Sequence, residues 1–376
     1  MIYLDHNATT PVDERVVESM LPYLSSFYGN PSSLYRAGRV VRSAIDTARE
    51  QVAALVDAQP AQIVFTSGGT ESNNLALSCV ALNYTQSANR IAVSAVEHPS
   101  ILEPAFKATQ LGECALISVD GQGRVSLSDV ESLFQRDKSP NLVSVMLANN
   151  ENGVVQDIMG VSQILRDHNV LFHTDAVQAV GKIPVYFSRL GVDLMSLSSH
   201  KIYGPKGCGA LIMNKKDYIQ PLLVGGGQEK GYRAGTENVA AIVGFGKAAE
   251  LALLELEPRA EHCLVLKKQL EQELNTIPGL VVFAEKAERL PNTVQFGVEN
   301  IDGEMLLMQL DKKNIAVSSG SACTSGGGKA SSVLTAMGVD SQLAKSAIRI
   351  SLGKATTELE IKEFIKVLKL SLGIRT

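Results

Sequence analysis

Asp193-Leu-Met-Ser-Leu-Ser-Ser-His-Lys-Ile-Tyr-Gly-Pro-Lys-Gly207 begins as a short apolar run. It ends on small hydroxyls, an imidazole and a lysine, then turns on Gly-Pro and Gly. A run of this length bounded by turn residues is a buried-strand pattern. Six more such runs occur, at Gln62–Thr66, Ile91–Ser94, Ala115–Val119, Leu142–Leu147, Val170–Thr174 and Gly209–Met213. Helical patterns separate several of them. Ser33–Val56 puts Val40, Val41, Ala44, Ile45, Ala48, Val52 and Leu55 on one side, and Thr70–Asn83 also reads as a helix. The alternation predicts an α/β lobe built on a mostly parallel sheet of seven strands.

Beyond Val239 the pattern changes. A long helical stretch runs to about Thr276, with Pro258 as its expected kink. Strands are expected at Leu280–Phe283, Thr293–Phe296, Ile315–Val317 and Ala347–Leu352, with helices at Gly303–Leu310 and from Thr357. This predicts a smaller α+β lobe. At 376 residues the chain exceeds the size at which one core stops growing. The expected division is a large domain at 16–255 and a small one made of 1–15 and 256–376, bridged by the long helix.

Composition narrows the function. Net charge is −4, without the basic excess of a nucleic-acid binder. The first ten residues lack the apolar core of a signal peptide, and no run of about 18 apolar residues suits a membrane span. The five cysteines lie far apart with no Cys-x-x-Cys pair, which speaks against a disulfide framework or a self-contained zinc site. A reducing, cytoplasmic setting is expected.

Lys201 stands at a strand end beside two hydroxyls and an imidazole, where ligands of α/β sheets gather. A lysine partly removed from water there loses basicity and can form a Schiff base. Asp175, 26 residues earlier, also ends an apolar run. Alone it reads equally as a helix N-cap or as a carboxylate keeping the pyridinium nitrogen of pyridoxal phosphate protonated. Lys201 at this spacing favours the second. In Phe65-Thr-Ser-Gly-Gly-Thr-Glu-Ser72 a strand leads through two glycines into a helix start, a possible anion site, although most such turns are only turns. His98, in Ala95-Val-Glu-His-Pro-Ser100, gains meaning only beside the others.

Together with Asn149-Asn-Glu-Asn-Gly153, Gly231-Tyr-Arg-Ala-Gly-Thr-Glu-Asn238 and Ser318-Ser-Gly-Ser-Ala-Cys-Thr324, these segments occur in the order seen in cysteine desulfurases. The match resembles the NifS/IscS-type branch of the class V, fold-type I pyridoxal-phosphate enzymes. It extends from Tyr3-Leu-Asp-His-Asn-Ala-Thr-Thr-Pro11 to Ile348-Arg-Ile-Ser-Leu-Gly353. The resemblance implies a homodimer that takes sulfur from L-cysteine, releases L-alanine and passes a persulfide to an iron–sulfur scaffold or another acceptor protein. It implies Lys201 as the Schiff-base lysine, Asp175 as partner of the pyridine nitrogen, Gln178 as donor to the ring hydroxyl and His98 as the stacked imidazole. Gly69, Thr70, Ser198 and His200 resemble phosphate contacts, and Thr236 one supplied by the second protomer. Asn150 resembles a cofactor or substrate contact, and Arg349 with Asn30 a clamp on the substrate carboxylate.

Cys323 lies among small, polar and glycine-rich residues, which predicts an exposed loop and a thiol able to act as the sulfur acceptor. Cys79, Cys114 and Cys208 read instead as small buried hydrophobes, and Cys263 stays undecided. No intrinsic metal is expected, though Cys323 could share an iron–sulfur cluster with a scaffold. A selenocysteine lyase or an aminotransferase of the same superfamily is the nearest rival, since neither needs a mobile cysteine.

Overall fold

The computed structural model describes residues 1–81, 90–108, 113–135, 139–214, 219–319 and 330–374. Seven strands form one sheet, in spatial order Ile63–Thr66, Gly209–Met213, Leu194–Ser198, Leu171–Asp175, Leu142–Ser144, Arg90–Ser94 and Glu113–Ile117. Only Gly209–Met213 runs against its neighbours. The strands Leu171–Asp175, Leu194–Ser198 and Gly209–Met213 are buried at every residue. Cover on both faces explains why they read as continuous apolar runs without alternation.

One face packs on the helices Arg36–Leu55 and Val239–Leu254, the other on Gly69–Ala81 and Pro99–Ala108. Helix Arg36–Leu55 buries Val41, Ile45, Ala48, Val52 and Leu55 at helical spacing, whereas Val40 is exposed. Gly246 lets the two long helices touch, because a Cβ there would lie 2.6 Å from the Ala48 Cα. The expected kink moves. The helix breaks at Glu255 rather than at Pro258, giving Val239–Leu254 and Leu256–Leu274. Pro258 then sits in the first turn of the second helix, where a missing N–H breaks no intrahelical bond.

A second, antiparallel sheet has the order Ser318–Ser319, Ile348–Ser351, Thr293–Val298 and Leu280–Val282. It shares a separate apolar core with the helices Leu256–Leu274, Gly303–Asp311 and Glu358–Ser371. The terminal helix starts as expected at Thr357, whose hydroxyl and Glu360 form a capping box.

The N-terminal segment ties the two sheets together. Ile2–Tyr3 pairs with Ile315–Ala316, and Leu4 enters the smaller core. The Asn7 backbone N–H donates to Ser351 Oγ, while the Thr10 N–H and hydroxyl both donate to the carbonyl of His200.

Candidate active site

A cavity of about 220 Å³ opens at the carboxyl ends of the parallel strands, the edge where α/β sheets bind ligands. Each wall comes from a turn that follows a strand. Gly69 and Thr70 follow Ile63–Thr66, His98 and Ser100 follow Arg90–Ser94, and Met146 and Asn150 follow Leu142–Ser144. Asp175 ends its strand and Gln178 lies in the next turn. Ser198 ends the neighbouring strand, and His200 and Lys201 lie in the 3-10 turn Ser199–Lys201 that follows it.

Asp175 accepts at both carboxylate oxygens. The Val177 N–H donates to Oδ1 at 2.9 Å and Asn73 Nδ2 to Oδ2 at 2.7 Å. The first bond is local turn capping, yet the carboxylate also lines the cavity, so the capping and ligand readings are compatible. Asn73 Nδ2 also reaches Ser100 Oγ (2.8 Å), which contacts His98 Nδ1 (2.8 Å). The Ser100 N–H donates to the same ring nitrogen, so Nδ1 is the acceptor and Nε2 carries the proton of the neutral ring. Burial holds the His98 pKa below the usual histidine value; Asp175 opposes this and Lys201 reinforces it. His200 is pushed down to about 4 by burial and the nearby Lys201 and Lys206. Both rings are neutral at neutral pH.

Lys201 Nζ donates to the backbone carbonyls of Asn7 (2.6 Å) and Ala8 (2.7 Å). The Asn149–Gly153 turn holds Asn150 against the cavity. Gly153 has φ 78°, and a Cβ there would lie 2.8 Å from Thr293 Cβ, so a glycine is required.

Arg349 lies mid-strand opposite Gln295 and Ser318. It donates to the Asn150 carbonyl at 3.1 Å and to Asp5 Oδ1 at 2.6 Å, while its buried Nε has no partner among the described residues. Asn30 and Thr236 do not line the cavity, and both are exposed. They are brought near each other: Arg42 donates to the Pro31 carbonyl and pairs with Glu237. Cys323 falls outside the described residues, as does the side chain of Cys79. Cys208 and Cys263 are buried and Cys114 is half-buried.

The donor set suits pyridoxal phosphate. Ser198 Oγ is buried at the cavity without a hydrogen-bond partner among the described residues, as expected of a donor meant for an anion. Gly69 leaves room beside it, since a Cβ there would press on Val177 at 2.9 Å. A carboxylate and a lysine amine complete the set.

Four residues escaped the sequence reading: Asn73, Ser100, Asp5 and Lys182. Glu97 is also notable. Its Oε1 accepts from Ser94 Oγ and the Met146 N–H, both at 2.6 Å, and its Oε2 is buried without a partner among the described residues. Burial, aided by Asp175, pushes its pKa up to about 8, so the folded protein keeps a proton that the unfolded chain releases near 4.5. The folded state therefore loses stability as pH rises through that window. Glu97→Gln, which mimics the protonated acid, is expected to flatten the decline. Melting temperatures from pH 5 to 8 check it, and parallel curves for parent and variant would contradict it.

Residues 2–364 match the aminotransferase class-V family. Cysteine desulfurase IscS of Dictyoglomus turgidum is 43% identical over 370 residues, covering 98% of this chain and 93% of that one. Among solved structures, a NifS-like protein from Rickettsia africae superposes with a TM-score of 0.90 at 37% identity, covering all of both chains. SspA in complex with cysteine gives 0.83 at 31% identity, covering 95% of this chain and all of that one. The chain belongs to the aminotransferase class-V family, on its cysteine desulfurase branch.

Proposed function

We propose that the cavity around Lys201 carries out the cysteine desulfurase reaction of this family, converting L-cysteine to L-alanine and placing the sulfur on Cys323. One observation carries the reading. Asp175, the last residue of one strand, and Lys201, just beyond the end of the adjacent parallel strand, line one cavity beside the Ser198 hydroxyl, which has no partner among the described residues. Pyridoxal phosphate bound here supplies an electron sink for negative charge at the substrate α-carbon.

The remaining chemistry belongs to the chain. Ser198, His200, Thr70 and the backbone at Gly69 would hold the phosphate, and Asp175 would keep a proton on the ring nitrogen. Gln178 would donate to the ring hydroxyl, and His98 would be the imidazole set against the ring. Lys201 Nζ would be the covalent attachment point for the cofactor and, as a free amine, the base placed to take the substrate α-proton. To take the proton of the incoming thiol, neutral His98 would present a free Nε2, its own proton having moved to Nδ1 and been donated to Ser100 Oγ. Cys323 Sγ attacks the substrate sulfur as the carbon–sulfur bond breaks, which leaves alanine and a persulfide.

Arg349 does not itself line the cavity but is bonded to Asp5 and to the carbonyl of cavity-lining Asn150, and would bind the substrate carboxylate through charge-assisted hydrogen bonds. Arg349→Gln is expected to raise KM for cysteine about 10- to 100-fold, the worth of one or two such bonds. An unchanged KM would reassign the residue.

Asn30 and Thr236 complete the site of a second copy in this reading. Exposed Tyr28, Leu34 and Tyr35 flank Asn30, and exposed Val224 precedes Thr236. Such apolar side chains beside functional residues suit a homodimer interface. The two separate apolar cores support the division into 16–255 and 1–15 with 256–376. Among the described residues no helix is long and apolar enough to cross a membrane. A cytoplasmic enzyme delivering sulfur to an iron–sulfur scaffold or similar protein fits this picture. The direct test is to give the purified enzyme L-cysteine and measure alanine together with protein-bound sulfane sulfur. Both should appear in equal amounts before an acceptor is added, whereas alanine without bound sulfur would refute the persulfide route.

A further inference from the structure

We propose that Lys182 is a positioning residue of this site: it fixes the amide orientation of Gln178, shares that of Asn7 with Asn292 and, by repulsion, keeps the Lys201 amine available as a neutral nucleophile and base. The inference rests on the reading of Lys201 as the cofactor lysine.

Lys182 Nζ donates to Gln178 Oε1 at 2.6 Å and to Asn7 Oδ1 at 2.8 Å. Both bonds are donated by the amine, through N–H groups it has whether charged or neutral, so both amides present oxygen to it. Gln178 Nε2 is thereby aimed the other way and donates to the Asn7 backbone carbonyl at 2.9 Å. That same carbonyl accepts from Lys201 Nζ at 2.6 Å. Asn7 Nδ2 is in turn directed to Thr293 Oγ1 and the Asn150 carbonyl. Asn292 Nδ2 also donates to Asn7 Oδ1 at 3.1 Å, so Lys182 shares the orientation of Asn7 with Asn292 and is the partner that turns the Gln178 oxygen inward. A neutral side chain at 182 would free Gln178 to turn its oxygen toward the cavity.

The charges act in the same direction. Among the described residues no carboxylate pairs with Lys182. The groups acting on it are Lys201 and Arg349, both cationic, and the neutral thiol of Cys263, with the His6 imidazole also close. Burial and then repulsion from Lys201 and Arg349 hold its pKa well below the usual lysine range. Arg259, Tyr203 and Lys354 line the small cavity shared by Lys182 and Lys201. Arg259 and Lys354 already have carboxylate partners in Glu255 and Asp13. On its other side Lys201 faces His98, His200 and Asp175, of which only Asp175 is anionic. Two amines so placed resist holding two protons at once, and repulsion is mutual. Removing the Lys182 amine takes away the competing place for the single proton the pair holds and therefore eases protonation at Lys201.

The test follows the visible absorption of the cofactor-loaded enzyme through a pH titration, with borohydride trapping as a check on the bond to Lys201. Lys182→Met is expected to raise the midpoint by about one pH unit, a usual size for the loss of a nearby like charge. Lys182→Arg keeps charge and donors and should stay near the parent. Asn7→Asp, which gives Lys182 a counter-charge, should also raise the midpoint, and it serves as the test if Lys182→Met does not fold. Unchanged midpoints in both Lys182→Met and Asn7→Asp, with cofactor still trapped on Lys201, would overturn the proposal even if melting temperatures fall. Absence of trapping in the parent would instead remove the functional reading on which it rests.

Discussion

Lys201→Ala protein is expected to purify folded but without covalently held cofactor, and to turn over cysteine at least about 10³-fold more slowly than the parent. Two losses combine. The cofactor loses its covalent anchor, and the α-proton loses a base whose contribution alone is typically about 10²- to 10⁴-fold. The fold should survive, because the bonds from the lysine amine to the carbonyls of Asn7 and Ala8 lie at the cavity rather than in either apolar core. Added primary amines should restore part of the proton-transfer step but not the covalent attachment. Single-turnover measurement of alanine, with and without amine, checks both parts. Turnover within tenfold of the parent would contradict the assignment.

Cys323→Ser is expected to keep cofactor binding and its visible spectrum while losing cysteine turnover by at least about 10³-fold. A hydroxyl is essentially un-ionised at neutral pH, whereas a few per cent of an ordinary thiol is thiolate and intrinsically far more nucleophilic. The other described cysteines cannot take over. Burial pushes the thiols of Cys114 and Cys263 up to about 11 and that of Cys208 higher still, so none is a thiolate under working conditions. Cys263→Ser should therefore retain turnover. The variant also separates this enzyme from a selenocysteine lyase or an aminotransferase of the same superfamily, neither of which requires the thiol. Retained sulfur release in Cys323→Ser would favour one of those.

The seven strands of the large sheet were legible because each is a short apolar run closed by small or turn residues. Their ends differ from the expected ones by a few residues at most; Leu142–Ser144, for example, stops three short of Leu147. There the chain leaves the ladder so that Asn149–Gly153 can turn beside the cavity. Lys201, Asp175, His98 and the Gly-Gly-Thr turn were legible for a related reason, since each lies next to a strand end. Asp5 and Asn73 were not, because their partners are 344 and 102 residues away in the chain, and Ser100 and Lys182, each with one near neighbour in His98 and Gln178, take their place in the site from bonds spanning 27 and 175 residues. No local pattern reports pairings across such distances. Pro258 misled for a different reason. Proline disrupts a helix interior but is tolerated in a first turn, and sequence periodicity did not distinguish one helix of about 38 residues from two that meet at Glu255.

Borohydride reduction of the cofactor-loaded protein, followed by peptide mass mapping, tests most directly whether Lys201 is the covalent attachment point. A reduced pyridoxyl phosphate adduct is expected on the peptide containing Lys201 and on no other. An unmodified Lys201 peptide, or an adduct confined to Lys182 or Lys206, would contradict the assignment of this site.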